Sequence, residues 1–259
     1  MNRTLRAATA LTSLLVLAGA SSVTAQELPS PQQIIERYVE ASGGEKAIRG
    51  TQSMYATGRM EMPAMGMTAQ VQVSTSAPDR LLMVMDLPNV GALRSGFDGT
   101  VGWMENPMTG PMLLEGDQLG DLMRQADFYA DLRYAELYPT METVAKSEFA
   151  GQPAYKVRLV DSDGKETIEY FSVDSGLKLG FEGEQTSEMG TVYVTTELSD
   201  YKEVEGRTVP MTQTSKMMGM EMKMVLETVV FDQVDSSVYA LPETIKTLVA
   251  GAKSGASGS

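Results

Sequence analysis

The spacing of hydrophobic residues changes several times along this chain. Ile34, Ile35, Tyr38 and Val39 fall three and four apart, the period of a helix with one buried face. Ser30 stands where an N-cap accepts from the first turn, Pro31 suits the first helical position, and Gln33 can complete a capping box. Gly43-Gly44 stops that helix, and Glu45 to Arg49 can add one further turn. After Gly50 the period becomes two. Met54, Ala56, Gly58, Met60 and Met62 share one strand face, and Tyr55, Thr57, Arg59 and Glu61 share the other. Val71 and Val73 alternate with glutamines and a serine, and Leu81, Met83 and Met85 line one face of the next strand. Phe97-Asp98-Gly99 reads as a hairpin-like turn before Trp103.

From Asp117 to Tyr138 the helical period returns, with Leu119, Leu122, Met123 and Ala126, then Phe128, Leu132 and Ala135. One or two helices, capped by Asp117, are therefore expected between strands. Strands resume at Thr140, with expected spans Glu142–Phe149, Ala154–Asp161, Thr167–Val173, Leu177–Thr186, Thr191–Tyr201, Arg207–Met217 and Met220–Phe231. Tight turns separate them, including Asp174-Ser175-Gly176 and Ser187-Glu188-Met189-Gly190. About ten strands so spaced predict a mainly β (α+β) antiparallel meander. No linker interrupts 26–249, which is expected to form one domain. Residues 250–259 are small and polar and are expected to be a disordered tail.

The first 25 residues carry a different pattern. Arg3 and Arg6 precede an apolar run from Ala7 to Ala20, and Val23-Thr24-Ala25 supplies the small residues a signal peptidase reads. Cleavage after Ala25 and a periplasmic destination are expected. The apolar run falls short of the ~20 residues needed to cross a bilayer, so no stable membrane span is expected after cleavage.

Composition narrows the chemistry. The 259-residue chain has no cysteine and no histidine, and 21 basic against 34 acidic residues give a formal net charge of −13. Thiolate nucleophiles, Ser-His relays and His-containing zinc sites are excluded. The acidic balance opposes nucleic-acid binding. No carboxylate pair stands out for hydrolysis, and neither a nucleophile elbow nor a phosphate-binding glycine loop is present. No catalytic residue, metal site or cofactor is assigned. Asp161-Ser162-Asp163-Gly164 opens like a calcium loop, but Lys165 and Ser172 stand where oxygen ligands belong, so a hairpin turn is the better reading.

Four stretches carry a resemblance to a family. They are Tyr38-Val39-Glu40-Ala41-Ser42-Gly43-Gly44, Gly96-Phe97-Asp98-Gly99 with Trp103, Tyr170 to Leu177, and Asp200-Tyr201 to Pro210 with Gly206 between. In this order they resemble the periplasmic lipoprotein carriers and outer-membrane lipoprotein-sorting proteins, across nearly all of the chain after Ala25. The resemblance implies an unclosed antiparallel β half-barrel whose concave face is covered by the N-terminal and mid-chain helices, with a hydrophobic cavity for acyl chains between them. It transfers no named ligand residue. No basic cavity residue matches the carrier proper, and this chain is longer and more acidic.

The 20 methionines are the unusual count. Met218, Met220, Met222 and Met224 alternate on one expected strand, as do Met60 and Met62, and Met83 and Met85, on two others. Flexible, polarizable thioethers repack around ligands of variable shape. These residues, with Trp103 at a possible cavity mouth and Leu122 and Met123 in the cover, are the candidate lining of an apolar site. The same spacing suits an ordinary packed core, and Trp103 suits a core aromatic. Three functional readings follow: a carrier for lipid or lipoprotein acyl chains, an envelope sensor binding a partner protein, and a Met-rich Cu(I) binder, since thioethers are soft ligands.

Overall fold

The computed structural model describes residues 28–187 and 190–256. The expected export segment and its cleavage point lie outside the described residues, as do Glu188, Met189 and 257–259. Ser30 and Gln33 form the expected capping box, with Ser30 Oγ accepting from the Gln33 amide (3.3 Å) and Gln33 Oε1 from the Ser30 amide (2.9 Å). The helix they open, α1, spans Pro31–Ala41, and α2 spans Gly44–Gly50. Gly43 between them has φ 115°, and a Cβ there would meet the Gly206 carbonyl at 2.3 Å. Only glycine lets the helix pair approach the sheet so closely.

Six strands follow: β1 Ser53–Met62, β2 Met67–Ser76, β3 Arg80–Leu87, β4 Gly91–Phe97, β5 Gly102–Asn106 and β6 Gly110–Leu113. A helical connection comes next, with α3 Gly116–Ala126, a 3-10 turn Ala130–Leu132 and a short α4 Tyr134–Leu137. The remaining strands are β7 Thr140–Phe149, β8 Gln152–Val160, β9 Glu166–Ser172, β10 Lys178–Ser187, β11 Gly190–Val204, β12 Arg207–Met217 and β13 Met220–Phe231. All 13 strands form one antiparallel sheet in the order β6-β5-β4-β3-β2-β1-β13-β12-β11-β10-β9-β8-β7. The sheet is unclosed, an open half-barrel. Each half is a meander of neighbouring strands. β1 and β13 join the halves, and the helical connection runs from one edge strand, β6, to the other, β7.

The expected bounds of β12 and β13 match the structure, and those of the other strands differ by a few residues at their ends. The expected count of about ten was low. β4 and β6 carry Gly91, Gly96, Gly110 and Pro111 and few β-branched residues, so their propensity is weak, and pairing to β3 and β5 forms them. Asp117 does not cap α3: Glu115 occupies the cap position without a side-chain bond, and Asp117 lies in the first turn. The stretch from Ala250 to Ala256, expected to be disordered, continues α5 (Glu243–Ala256). Ile245 anchors that helix in the interior, and once nucleated it continues past Gly251 and Gly255. Among the described residues, no helix is long and apolar enough to cross a membrane.

Two clusters fill the side of the sheet that the helices cover. One joins Ala56, Val71, Leu81, Met211 and Phe231 of the sheet to Leu122 and Ala126 of α3. The other packs Ile34, Ile35 and Tyr38 of α1 and Tyr134 of α4 on Val157, Leu159 and Phe171. A smaller cluster, with Phe149 stacked on Tyr170 at 4.2 Å, joins Ala154, Ile168 and Leu179.

Candidate functional site

α3 is held across the concave face by its apolar stripe. Leu119, Leu122 and Ala126 recur at helical spacing and pack on the first meander. Gly102 makes room for them, since a Cβ there would meet Leu119 Cδ1 at 2.5 Å. Asp121, Arg124 and Gln125 consequently turn toward the second meander, where they roof a cleft of about 500 Å³.

The floor of the cleft is made by seven strands. Met83 of β3, Met60 of β1 and Met222 and Met224 of β13 form one end. Gln213, Ser215 and Met217 of β12 and Val194 and Thr196 of β11 form the middle. Lys178 and Phe181 of β10 and Thr167 and Glu169 of β9, with Tyr138 and Lys165, form the other end. Met60 and Met224 are direct cross-strand partners.

Of the candidate residues, Met60, Met83, Met222 and Met224 are thus brought together at the cleft. The others lie elsewhere. Met62 is buried at the end of β1, and Met85 packs against the core. Met220 is half-buried opposite Met217, beside the turn from β12 to β13. Met218 does not share the strand face of Met220 to Met224, because it sits in that turn with φ 51° and is 73% exposed. Trp103 is a core aromatic, 3% exposed, rather than a residue at the cleft mouth. Its cross-strand partner is Gly96, where a Cβ would lie 2.7 Å from Trp103 Cζ2, so the missing side chain seats the ring. Leu122 of α3 is in the core, and Met123, about 100° further round the helix, is 47% exposed.

Sequence patterns missed the polar end of the cleft. Simple alternation would put Lys178 and Phe181 on opposite faces, but a bulge between Lys178 and Gly180 returns both to the concave face, opposite Phe171 and Glu169 respectively. Lys178 Nζ donates to Glu169 Oε1 at 3.0 Å, and the Tyr134 hydroxyl donates to Glu169 Oε2 at 2.6 Å. The ammonium also lies 5.2 and 5.3 Å from the ring centroids of Tyr38 and Tyr134. The Tyr38 hydroxyl donates to Asp131 at 2.9 Å, and that of Tyr201 to the Lys178 carbonyl at 2.6 Å. Burial alone would lower the Lys178 pKa, but Glu169 and Asp131 more than offset it and hold it above the ordinary value. Burial and then neighbouring carboxylates push Tyr38 and Tyr134 well above the usual phenol range, and Tyr138 up to about 12. This network joins α1, the helical connection and three strands, β9, β10 and β11. Its one sequence signal is a carboxylate, Glu169, set between Ile168 and Tyr170 in an apolar strand.

A second ionic group closes the roof. Asp121 Oδ1 lies 2.5 Å from Lys165 Nζ and also pairs with Arg124, whose other terminal nitrogen reaches Asp161 at 3.5 Å. Asp161 and Lys165 flank the hairpin turn between β8 and β9. There Asp161 Oδ1 accepts from the amides of Asp163 and Lys165, so the calcium-like sequence is a hairpin turn. The pairs on Asp121 and Asp161 tie α3 to the second meander over the cleft. Among the described residues, no group of three or more carboxylates is placed to hold a metal.

Two outcomes follow from the buried network. Lys178→Met leaves Glu169 without its counter-charge and should cost about 3–5 kcal/mol in urea unfolding. The double variant Lys178→Met/Glu169→Leu should lose less than the single one. Lys178 and the buried tyrosines all have folded pKa values above their unfolded ones. Their contribution is complete below the unfolded values, about 10 for both residue types, and is lost as pH rises through the folded values. The urea midpoint should therefore fall as pH is raised above about 10. A midpoint that stays level up to pH 12 contradicts the shifts.

No family model matches the sequence, and no curated protein matches it. Solved structures do match in fold. A DUF1329 family protein from Desulfovibrio piger ATCC 29098 has TM-score 0.58 at 11% identity, over 81% of this chain and 96% of that one. A LolA superfamily protein from Nitrosomonas europaea has TM-score 0.56 at 13% identity, over 83% and 99%. A putative outer membrane lipoprotein-sorting protein domain from Vibrio parahaemolyticus has TM-score 0.53 at 14% identity, over 83% and 99%. The chain thus shares the fold of these three proteins, which in this chain is an open antiparallel half-barrel under a helical cover.

Proposed function

We propose that this protein is a periplasmic carrier for lipid or lipid-modified cargo, which it holds by burial and without catalysis. The observation that carries the reading is the cleft of about 500 Å³ beneath α3, with four thioethers from three strands at one end. Its size is within the range of small-molecule sites. Methionine side chains adapt to a chain of no fixed shape, and each methylene removed from water contributes about 0.8 kcal/mol. The likeness in fold to a lipoprotein-sorting domain supports the reading, as does the expected export signal. Lys178, Glu169 and Tyr134 act in it as structural supports for the cover, since each is engaged by the others.

Titration of the delipidated protein with a fluorescent fatty acid or a lipopeptide should give saturable uptake. Met224→Glu, which sets a charge among the thioethers, should weaken uptake at least tenfold with little change in far-UV dichroism. Absence of uptake by the wild-type protein rejects the carrier reading.

One observation favours a second reading. Met60 and Met224 face each other across β1 and β13, with Met222 two residues along the same strand, and thioethers suit Cu(I). Under this reading, isothermal titration with Cu(I) should show sub-micromolar binding that is lost in Met60→Leu/Met224→Leu. Binding no tighter than micromolar removes it.

A further inference from the structure

The cleft changes polarity strand by strand. Thioethers of β1 and β13 form one end, and the buried Lys178–Glu169 pair of β10 and β9 forms the other. Between them stand Gln213, Ser215 and Thr196. The Thr196 and Ser215 hydroxyls bond each other at 3.0 Å; Thr196 is buried beneath, and the half-buried Ser215 keeps hydrogen-bonding capacity for another group. From β13 to β10 is three strand spacings, about 14 Å at ~4.8 Å each. The lining thus passes from apolar to polar over about 14 Å.

Volume limits the number of chains. A methylene is about the size of a water molecule, whose share of liquid volume is ~30 Å³. A cleft of about 500 Å³ therefore holds roughly sixteen such groups. That is room for the buried part of one amphiphile, tail and head together, and not for two or three full-length chains.

Charge limits the head group. The carboxylates of the lining are Asp121, Glu169 and Glu184, and its cations are Arg124, Lys165 and Lys178. The two signs balance, and Lys165 and Lys178 each contact a carboxylate at 3.0 Å or less. No surplus cation awaits an anionic head, and a chain of formal net charge −13 repels anions at a distance.

Building on the carrier reading, we propose that the cleft takes a single-chain amphiphile with a net-neutral polar head, the chemistry shared by zwitterionic lysophospholipids and monoacylglycerols. The tail lies on the thioethers of β1 and β13. The head lies against the hydroxyl and amide groups of β11 and β12 and the paired charges beyond them. Such a head can bond to a charge-balanced wall at both donors and acceptors, and a bare carboxylate cannot.

The test is displacement of a fluorescent fatty-chain probe from the delipidated full chain. The competitors are palmitoyl lysophosphatidylethanolamine, monopalmitoylglycerol, palmitate and dipalmitoyl phosphatidylethanolamine. At least one of the two neutral-headed single-chain lipids should displace the probe at a concentration at least tenfold lower than palmitate or the two-chain lipid. Which of the two does so identifies the source of the head. The variant Thr196→Val/Ser215→Ala, close in shape to the original, should weaken that lipid about tenfold more than it weakens the probe. If the wild-type protein binds no probe, the carrier reading fails and this inference with it. If the probe binds but palmitate or the two-chain lipid competes as well or better, the carrier reading stands and the neutral single-chain ligand is wrong. An unchanged lipid affinity in the double variant overturns the placement of the head.

Discussion

The pairing of β1 with β13 is the contact on which the rest of this molecule depends. Each meander can form locally, since its strands are chain neighbours joined by short turns. The union of first strand and last is the one strand pairing that spans nearly the whole described chain. It converts two six- and seven-stranded ribbons into a single curved sheet, and it sets Met60 against Met224. Without it the apolar faces of the two ribbons have no common interior for α3 to cover. Loop closure at such a separation is entropically costly, so the side chains gathered at the joint must offset it. Ala56, Val229 and Phe231, all buried in the main cluster, do so.

The second requirement is that the cover have somewhere to hold. At one end it does so by apolar packing, with Leu119 and Leu122 against the space left by Gly102. At the other it does so through charge, at Asp121, Arg124, Lys165 and Asp161. The difference matters because apolar packing is insensitive to ions, whereas partly exposed pairs are screened by them. The Lys178–Glu169 pair is deeper, under three aromatic rings. A buried pair of this kind rarely adds net stability over apolar substitutes. Here it fixes one geometry for the junction of α1, α4 and the second meander.

Much of this was legible in the sequence, and the failures have definite physical causes. Period-two spacing located Met222, Met224, Met60 and Met83, since alternation is a local property of a strand. Alternation failed at Lys178, where one bulge inverts the face and no composition signal announces it. It failed at Met218 because a turn residue belongs to no face. Trp103 could not be placed from its own surroundings in sequence, since the space that accepts it is the missing side chain of Gly96 on the neighbouring strand. Helical spacing identified α3 but not which way it faces: the Leu122 side packs and the Met123 side is exposed. The bonds from Tyr134 and Lys178 to Glu169 join separate elements. They exist only once the helical connection has crossed the sheet.

That crossing has a mechanical consequence. Its ends are fixed to the two outermost strands, so the segment from β6 to β7 is a string drawn across a bow. Flattening the bow moves its tips apart and pulls the string tight against the space beneath. Curling it slackens the string. The curvature of the sheet and the height of the roof are therefore one degree of freedom, and whatever widens the interior must bend thirteen strands together.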